Sequence, residues 1–136
     1  MMYKEHMVGG IACAIGVCYV KNKYGVPIPI NDISFFIATG IGSLLPDIDH
    51  PESLLGSEMD FIGGLIKHRT ITHSISFAVI MGLIVFCFSA AAGIGVTVGI
   101  LSHLLLDMID VKGNGICLLA PFSFRKIGGR IKNKRP

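Results

Sequence analysis

Residues 71–106 read ITHSISFAVIMGLIVFCFSAAAGIGVTVGILSHLLL, and their only charged or imidazole side chains are His73 and His103. One continuous helix over this stretch would be about 54 Å long, nearly twice the roughly 30 Å hydrocarbon core of a bilayer. The stretch therefore has to double back. The small-residue run Ser89-Ala90-Ala91-Ala92-Gly93-Ile94-Gly95 offers the place, giving two helices over about 71–89 and 94–110. Gly113-Asn114-Gly115 then ends the second of them.

Toward the N-terminus, residues 7–20 carry no charge, and extending them to 3–21 gives about 28 Å of helix. We read this as an uncleaved first helix, because no convincing small-x-small cleavage site follows it. A turn is expected from Lys21 through Gly25, with Pro27 and Pro29 beyond. Residues 33–45 form the second apolar segment, closed by Pro46. At roughly 20 Å it is short, which implies tilt in a thinned bilayer or partial insertion. Thr70 or Thr72 is placed to cap the third helix, and the apolar strip 116–124 is expected to lie on the surface. The fold class is all-α: a four-helix membrane bundle over residues 1–124, with a polar connection (47–70) between helices two and three and a basic cytoplasmic tail over 125–136.

The bulk numbers agree. Of 136 residues, 51% are hydrophobic and 15% charged, with a mean hydropathy of +0.67; soluble domains carry about a quarter charged residues. The four cysteines form no C-x-x-C pair and read as small buried hydrophobes. The net charge of +3 is unevenly placed, with six Lys/Arg and no acid in residues 125–136. Such a tail beside apolar helices favours anionic lipid over nucleic acid. In the four-helix reading, Lys4, Lys67, Arg69, Lys112 and the tail share one face, and only Lys21 and Lys23 lie on the other. The positive-inside rule then places both termini in the cytoplasm, with the chain a multi-pass membrane protein.

The ligand-type residues follow the same geometry. His6 enters helix one from the cytoplasmic face, Asp47 and Asp49 leave helix two on it, His68 and His73 precede helix three, and His103 and Asp107 close helix four. Imidazoles and carboxylates near hydrocarbon are costly unless they serve a common purpose, and a shared cation supplies one. His103 and Asp107 are spaced i, i+4, so both lie on one helical face. Pro46 and Pro51 bracket Asp47, Asp49 and His50, which could as well be a solvated polar turn. In His68-Arg69-Thr70-Ile71-Thr72-His73 either histidine could face the site, and Arg69 offers a planar fork for a phosphate. The glycines Gly9-Gly10, Gly40-x-Gly42 and Gly93-x-Gly95 read as sites of close helix packing, since no strand precedes them as a phosphate loop would require.

Taken together, His6, Gly42-Ser43-Leu44-Leu45-Pro46-Asp47-Ile48-Asp49-His50-Pro51, His68-Arg69-Thr70-x-Thr72-His73-Ser74 and Ser102-His103-Leu104-Leu105-Leu106-Asp107 resemble the YdjM-like family, described as membrane-bound metal-dependent hydrolases. That family is in turn distantly similar to zinc-dependent phospholipase C. The resemblance implies metal ligation by His6, Asp47, His68 or His73, His103 and Asp107. The N-terminal Trp ligand and the later His/His/Glu set of the secreted enzymes are missing, which favours one or two ions, zinc first, over three. The expectation is a hydrolase in which metal-activated water attacks a phosphodiester such as a phospholipid at headgroup level. Asp49 would be base or orienter and Arg69 an anion clamp. The alternatives are a non-catalytic membrane protein stapled by a metal cluster, whose tail binds a cytoplasmic partner, and a transporter component.

Overall fold

The computed structural model describes residues 3–30, 32–49, 70–110 and 115–128. Among the described residues four α-helices run in chain order: α1 (Tyr3–Tyr24), α2 (Asp32–Gly42), α3 (Ile75–Phe86) and α4 (Ala90–Ile109), with a 3-10 helix, Leu45–Asp49, after α2. Among the described residues the only strand-like pairing is one antiparallel bridge between Ile116 and Ile127. The all-helical class therefore stands.

α4 is the central helix and packs against the other three. Its buried residues Val96, Ile100 and Leu104 join Ala38, Ala78 and Ile116 in the main core, and a second core gathers Ala14, Ile30 and Phe35. Outside, the helices present apolar side chains: Val8, Ile11 and Ile15 from α1, Ile33, Ile37 and Ile41 from α2, Val79, Ile80 and Leu83 from α3, and Leu101, Leu105 and Ile109 from α4 are all exposed. An apolar coat on every helix suits a hydrocarbon solvent and not water. Among the described residues, one helix, Ala90–Ile109, is long and apolar enough by itself to cross a membrane. α2 and α3, of 11 and 12 residues, extend about 16–18 Å, well under the hydrocarbon thickness. α1 is long enough, at about 33 Å.

Several boundaries differ from expectation for identifiable reasons. The chain turns at residues 87–89, ahead of the glycines. Ser89 caps α4, its hydroxyl accepting from the Ala92 amide at 3.3 Å, and the alanines that follow are good helix formers. Gly93 and Gly95 therefore lie inside α4, where a Cβ on Gly95 would come within 2.6 Å of the Phe35 carbonyl oxygen on α2. Gly9, Gly10, Gly42, Gly93 and Gly95 are closely packed, whereas Gly40 has nothing near it. α3 is shorter than 71–89, and its cap is Ser74, which accepts from Phe77 N at 3.1 Å, not Thr70 or Thr72. α2 stops at Gly42, and the chain reverses into the 3-10 helix containing Pro46. α1 runs on to Tyr24, ahead of Gly25 at φ 61°. The strip 116–124 is only half surface: Ile116, Cys117 and Ala120 are buried, whereas Leu119, Phe122 and Phe124 are exposed. The cysteines are likewise mixed, with Cys117 buried and Cys13 and Cys87 on the apolar exterior.

Candidate metal centre

One end of the bundle collects five ligand-type side chains from four different elements. His6 comes from the first turns of α1, Asp47 from the 3-10 helix, His73 from the turn before α3, and His103 with Asp107 from the last turns of α4. The α-helices must alternate in direction for this to happen, as the sequence reading required. His6, His73, His103 and Asp107 are at most 1% exposed; the Asp47 side chain, at 17%, is the accessible one.

The distances are short and nearly equal. His73 Nε2 lies 3.3 Å from His103 Nε2, 3.3 Å from Asp107 Oδ2 and 3.6 Å from Asp47 Oδ1. His103 Nε2 lies 3.6 Å from both Asp47 Oδ1 and Asp107 Oδ2. His6 Nε2 is 3.5 Å from Asp107 Oδ1, and its ring stacks on that of His103 with centroids 3.7 Å apart. Two donor groups, His6–Asp47–His103 and His73–His103–Asp107, are compact enough to hold a metal ion.

Neighbouring groups fix the imidazoles. His103 Nδ1 is 2.8 Å from the Ser43 carbonyl oxygen. A carbonyl only accepts, so Nδ1 carries the hydrogen, and in the neutral ring Nε2 presents its lone pair to the cluster. His73 Nδ1 pairs with Thr72 Oγ1 at 3.1 Å. Ser43 sits where α2 ends, close enough to α1 that a Cβ on Gly10 would approach Ser43 Cβ to 2.8 Å. Burial works to raise the pKa of Asp47, but the hydrogen bond from His73 and the charges of His103, His73 and His6 outweigh it and hold the carboxyl below its ordinary value.

Of the residues singled out from sequence, the structure brings together His6, Asp47, His73, His103 and Asp107. The side chain of Asp49 and the whole of His68 and Arg69 lie outside the described part, as do His50 and tail residues 129–136. Asp110 is the C-cap of α4. Ser43 belongs to the motif around Asp47 but has no role assigned from sequence: it acts through its backbone carbonyl, which the residue type does not announce. Thr72 was noted only as a helix cap, although its place beside His73 could have suggested the bond to the ring.

Four helices with an apolar exterior and a buried imidazole–carboxylate cluster at one end define a helical protein of membrane type with a candidate metal centre. The comparison with known families is specific. Residues 1–135 match the family described as YdjM inner membrane protein, and the chain belongs to that family. It is 36% identical over 131 residues to the uncharacterized protein YvsG of Bacillus subtilis (strain 168), covering 92% of this chain and 76% of that one. It is 33% identical over 139 residues to the inner membrane protein YdjM of Escherichia coli (strain K12), covering 92% and 68%. No solved structure matches.

Proposed function

We propose that this chain is a membrane-bound metal-dependent hydrolase that cleaves a phosphodiester, such as a phospholipid, at the cytoplasmic headgroup level. One observation carries the metal. Three atoms, His73 Nε2, His103 Nε2 and Asp107 Oδ2, lie 3.3–3.6 Å from one another, and Asp47 Oδ1 is 3.6 Å from both imidazole nitrogens. Ligands about 2.0–2.1 Å from a tetrahedral zinc are about 3.3–3.4 Å from one another. The donor chemistry, neutral imidazole with carboxylate, suits zinc, manganese or iron. His103 belongs to both donor groups but has one nitrogen to give, since Ser43 holds the other, which favours a single ion.

When bound, a divalent cation supplies Lewis acidity and lowers the pKa of a water it holds. As ligands His73 and His103 would be held in place by their Nδ1 partners, Thr72 and Ser43, Asp107 faces them from the buried side, and Asp47 lies where the centre meets the exterior. Asp49 as base and Arg69 as phosphate clamp complete the proposal. The orientation, termini inward, rests on the bias of basic residues. The near-complete burial of His73, His103 and Asp107 favours a second reading, in which the ion is a structural staple and the basic tail recruits a cytoplasmic partner or anionic lipid.

Elemental analysis of detergent-purified protein, paired with hydrolysis of bis(p-nitrophenyl) phosphate and of phospholipid micelles, separates these. We expect about one equivalent of divalent metal, absent from His103→Ala, and metal-dependent turnover lost in Asp47→Ala. A metal-free protein would sink the proposal; metal without turnover on any phosphoester would leave the staple.

A further inference from the structure

His6 stands differently in the cluster from the other two histidines. The rings of His73 and His103 have centroids 5.1 Å apart and are inclined at 70°, whereas those of His6 and His103 are stacked at 3.7 Å with only 15° between planes. Two imidazoles bound in line to one ion at about 2.0–2.1 Å have ring centres about 5.2 Å apart at the tetrahedral angle and about 4.5 Å apart at a right angle. His73 and His103 meet the tetrahedral value; His6 and His103 fall well inside the smaller one. Both members of the stacked pair cannot direct lone pairs at the same ion.

The polar contacts of His6 point the same way. Its Nδ1 is buried with no hydrogen-bond partner among the described residues, and its Nε2 lies 3.5 Å from Asp107 Oδ1, an ion-pair contact slightly too long or too oblique to count as a hydrogen bond. A buried N–H without an acceptor is rarer than an under-satisfied acceptor. A ring hydrogen on Nε2 would face the carboxylate oxygen nearest to it and leave no lone pair there for a cation. Asp107 divides its two oxygens accordingly, Oδ1 toward His6 and Oδ2 toward His73 and His103.

We propose that His6 is not a metal ligand but a positioning residue: it pairs with Asp107 Oδ1 and thereby holds Oδ2 toward the cation. This rests on the metal centre proposed above, and it assigns two imidazoles, not three, to the ion. X-ray absorption on the intact zinc-loaded protein counts coordinated imidazoles without any substitution, and two are expected. Metal titration of variants gives the second readout. His6→Ala is expected to bind zinc about 10–100-fold more weakly, as loss of a group orienting a ligand does. His6→Gln, which keeps an N–H donor, should recover most of that affinity and leave the Co²⁺ absorption spectrum as in the wild type. His73→Ala and His103→Ala should lose stoichiometric metal. A count of three imidazoles, or His6→Gln losing metal as fully as His103→Ala, overturns this assignment and leaves the metal centre standing. A wild-type protein that takes up no metal overturns both.

Discussion

The first half of α4, residues 90–99, and its second half, residues 100–109, are seated in the bundle by different physics. In the first half the closest approaches are those of glycines to neighbouring backbone. A Cβ on Gly93 would stand 2.5 Å from Phe86 Cα of α3, and one on Gly99 would run into the Thr39 carbonyl of α2. Such an approach gathers dispersion over a wide surface, which is the main attraction open to helices in a lipid solvent. In the second half, Ser102, His103 and Asp107 are buried beside Leu104. Burying imidazole and carboxylate is unfavourable unless each is paired or a cation joins them. The glycine half is held by close packing, whereas the polar half is held by the pairing of imidazoles with its carboxylate and, in the proposed reading, by a cation.

The largest effect should come from closing the glycine seam. Gly99→Val places two methyl groups and a Cβ where Thr39 and the Gly42–Ser43 peptide already stand. Overpacking against backbone cannot relax by a rotamer change, so we expect a loss of about 3 kcal/mol or more. Ser43 would shift with α2, so the carbonyl holding His103 should be lost and metal binding with it. Denaturation in detergent, followed by circular dichroism, measures the first effect and metal titration the second; an unchanged midpoint would show that the seam is not tight.

Chelation tests the polar half. A ligand that binds only the folded state, present at a hundred times its dissociation constant, stabilises it by about 2.7 kcal/mol. Stripping the metal should lower the unfolding midpoint accordingly, and the His103→Ala protein should show no such drop. If wild type and His103→Ala respond alike to chelator, the polar half holds itself together without an ion.

The contrast between the halves also explains what could be read from the chain. Ligand-type residues at the edges of apolar segments are rare enough to be informative, so the meeting of His6, Asp47, His103 and Asp107 at one end is legible from the chain alone, whereas the choice of His73 over His68 is not. Nor are the helix boundaries. Residues 89–95 look like a turn because alanine and glycine alone do not distinguish a reversal from a helix pressed against its neighbours; the Ser89 cap and the carbonyls of α2 decide it. Likewise, Ile116, Cys117 and Ala120 are buried only because the chain after α4 folds back, with Ile116 bridged to Ile127. The tie between His103 and Ser43 uses a backbone atom, which every residue type supplies.

The smallest effect is expected at Gly16, and it sharpens the comparison because the residue type is the same. Gly16 has nothing within 4 Å of where its Cβ would be. It lies in an apolar groove of about 530 Å³ between α1 and α4, with Cys13, Val17, Val20, Val98 and Leu101 among its lining. A methyl group there enters open space on a helix whose backbone already has the right conformation. Gly16→Ala should therefore stabilise the protein by about 0.4–1 kcal/mol, chiefly by restricting the unfolded chain. The same denaturation assay decides it. A loss as large as that of Gly99→Val would mean that α1 closes on α4 along its whole length, and the distinction between a glycine seam and an open groove would fall.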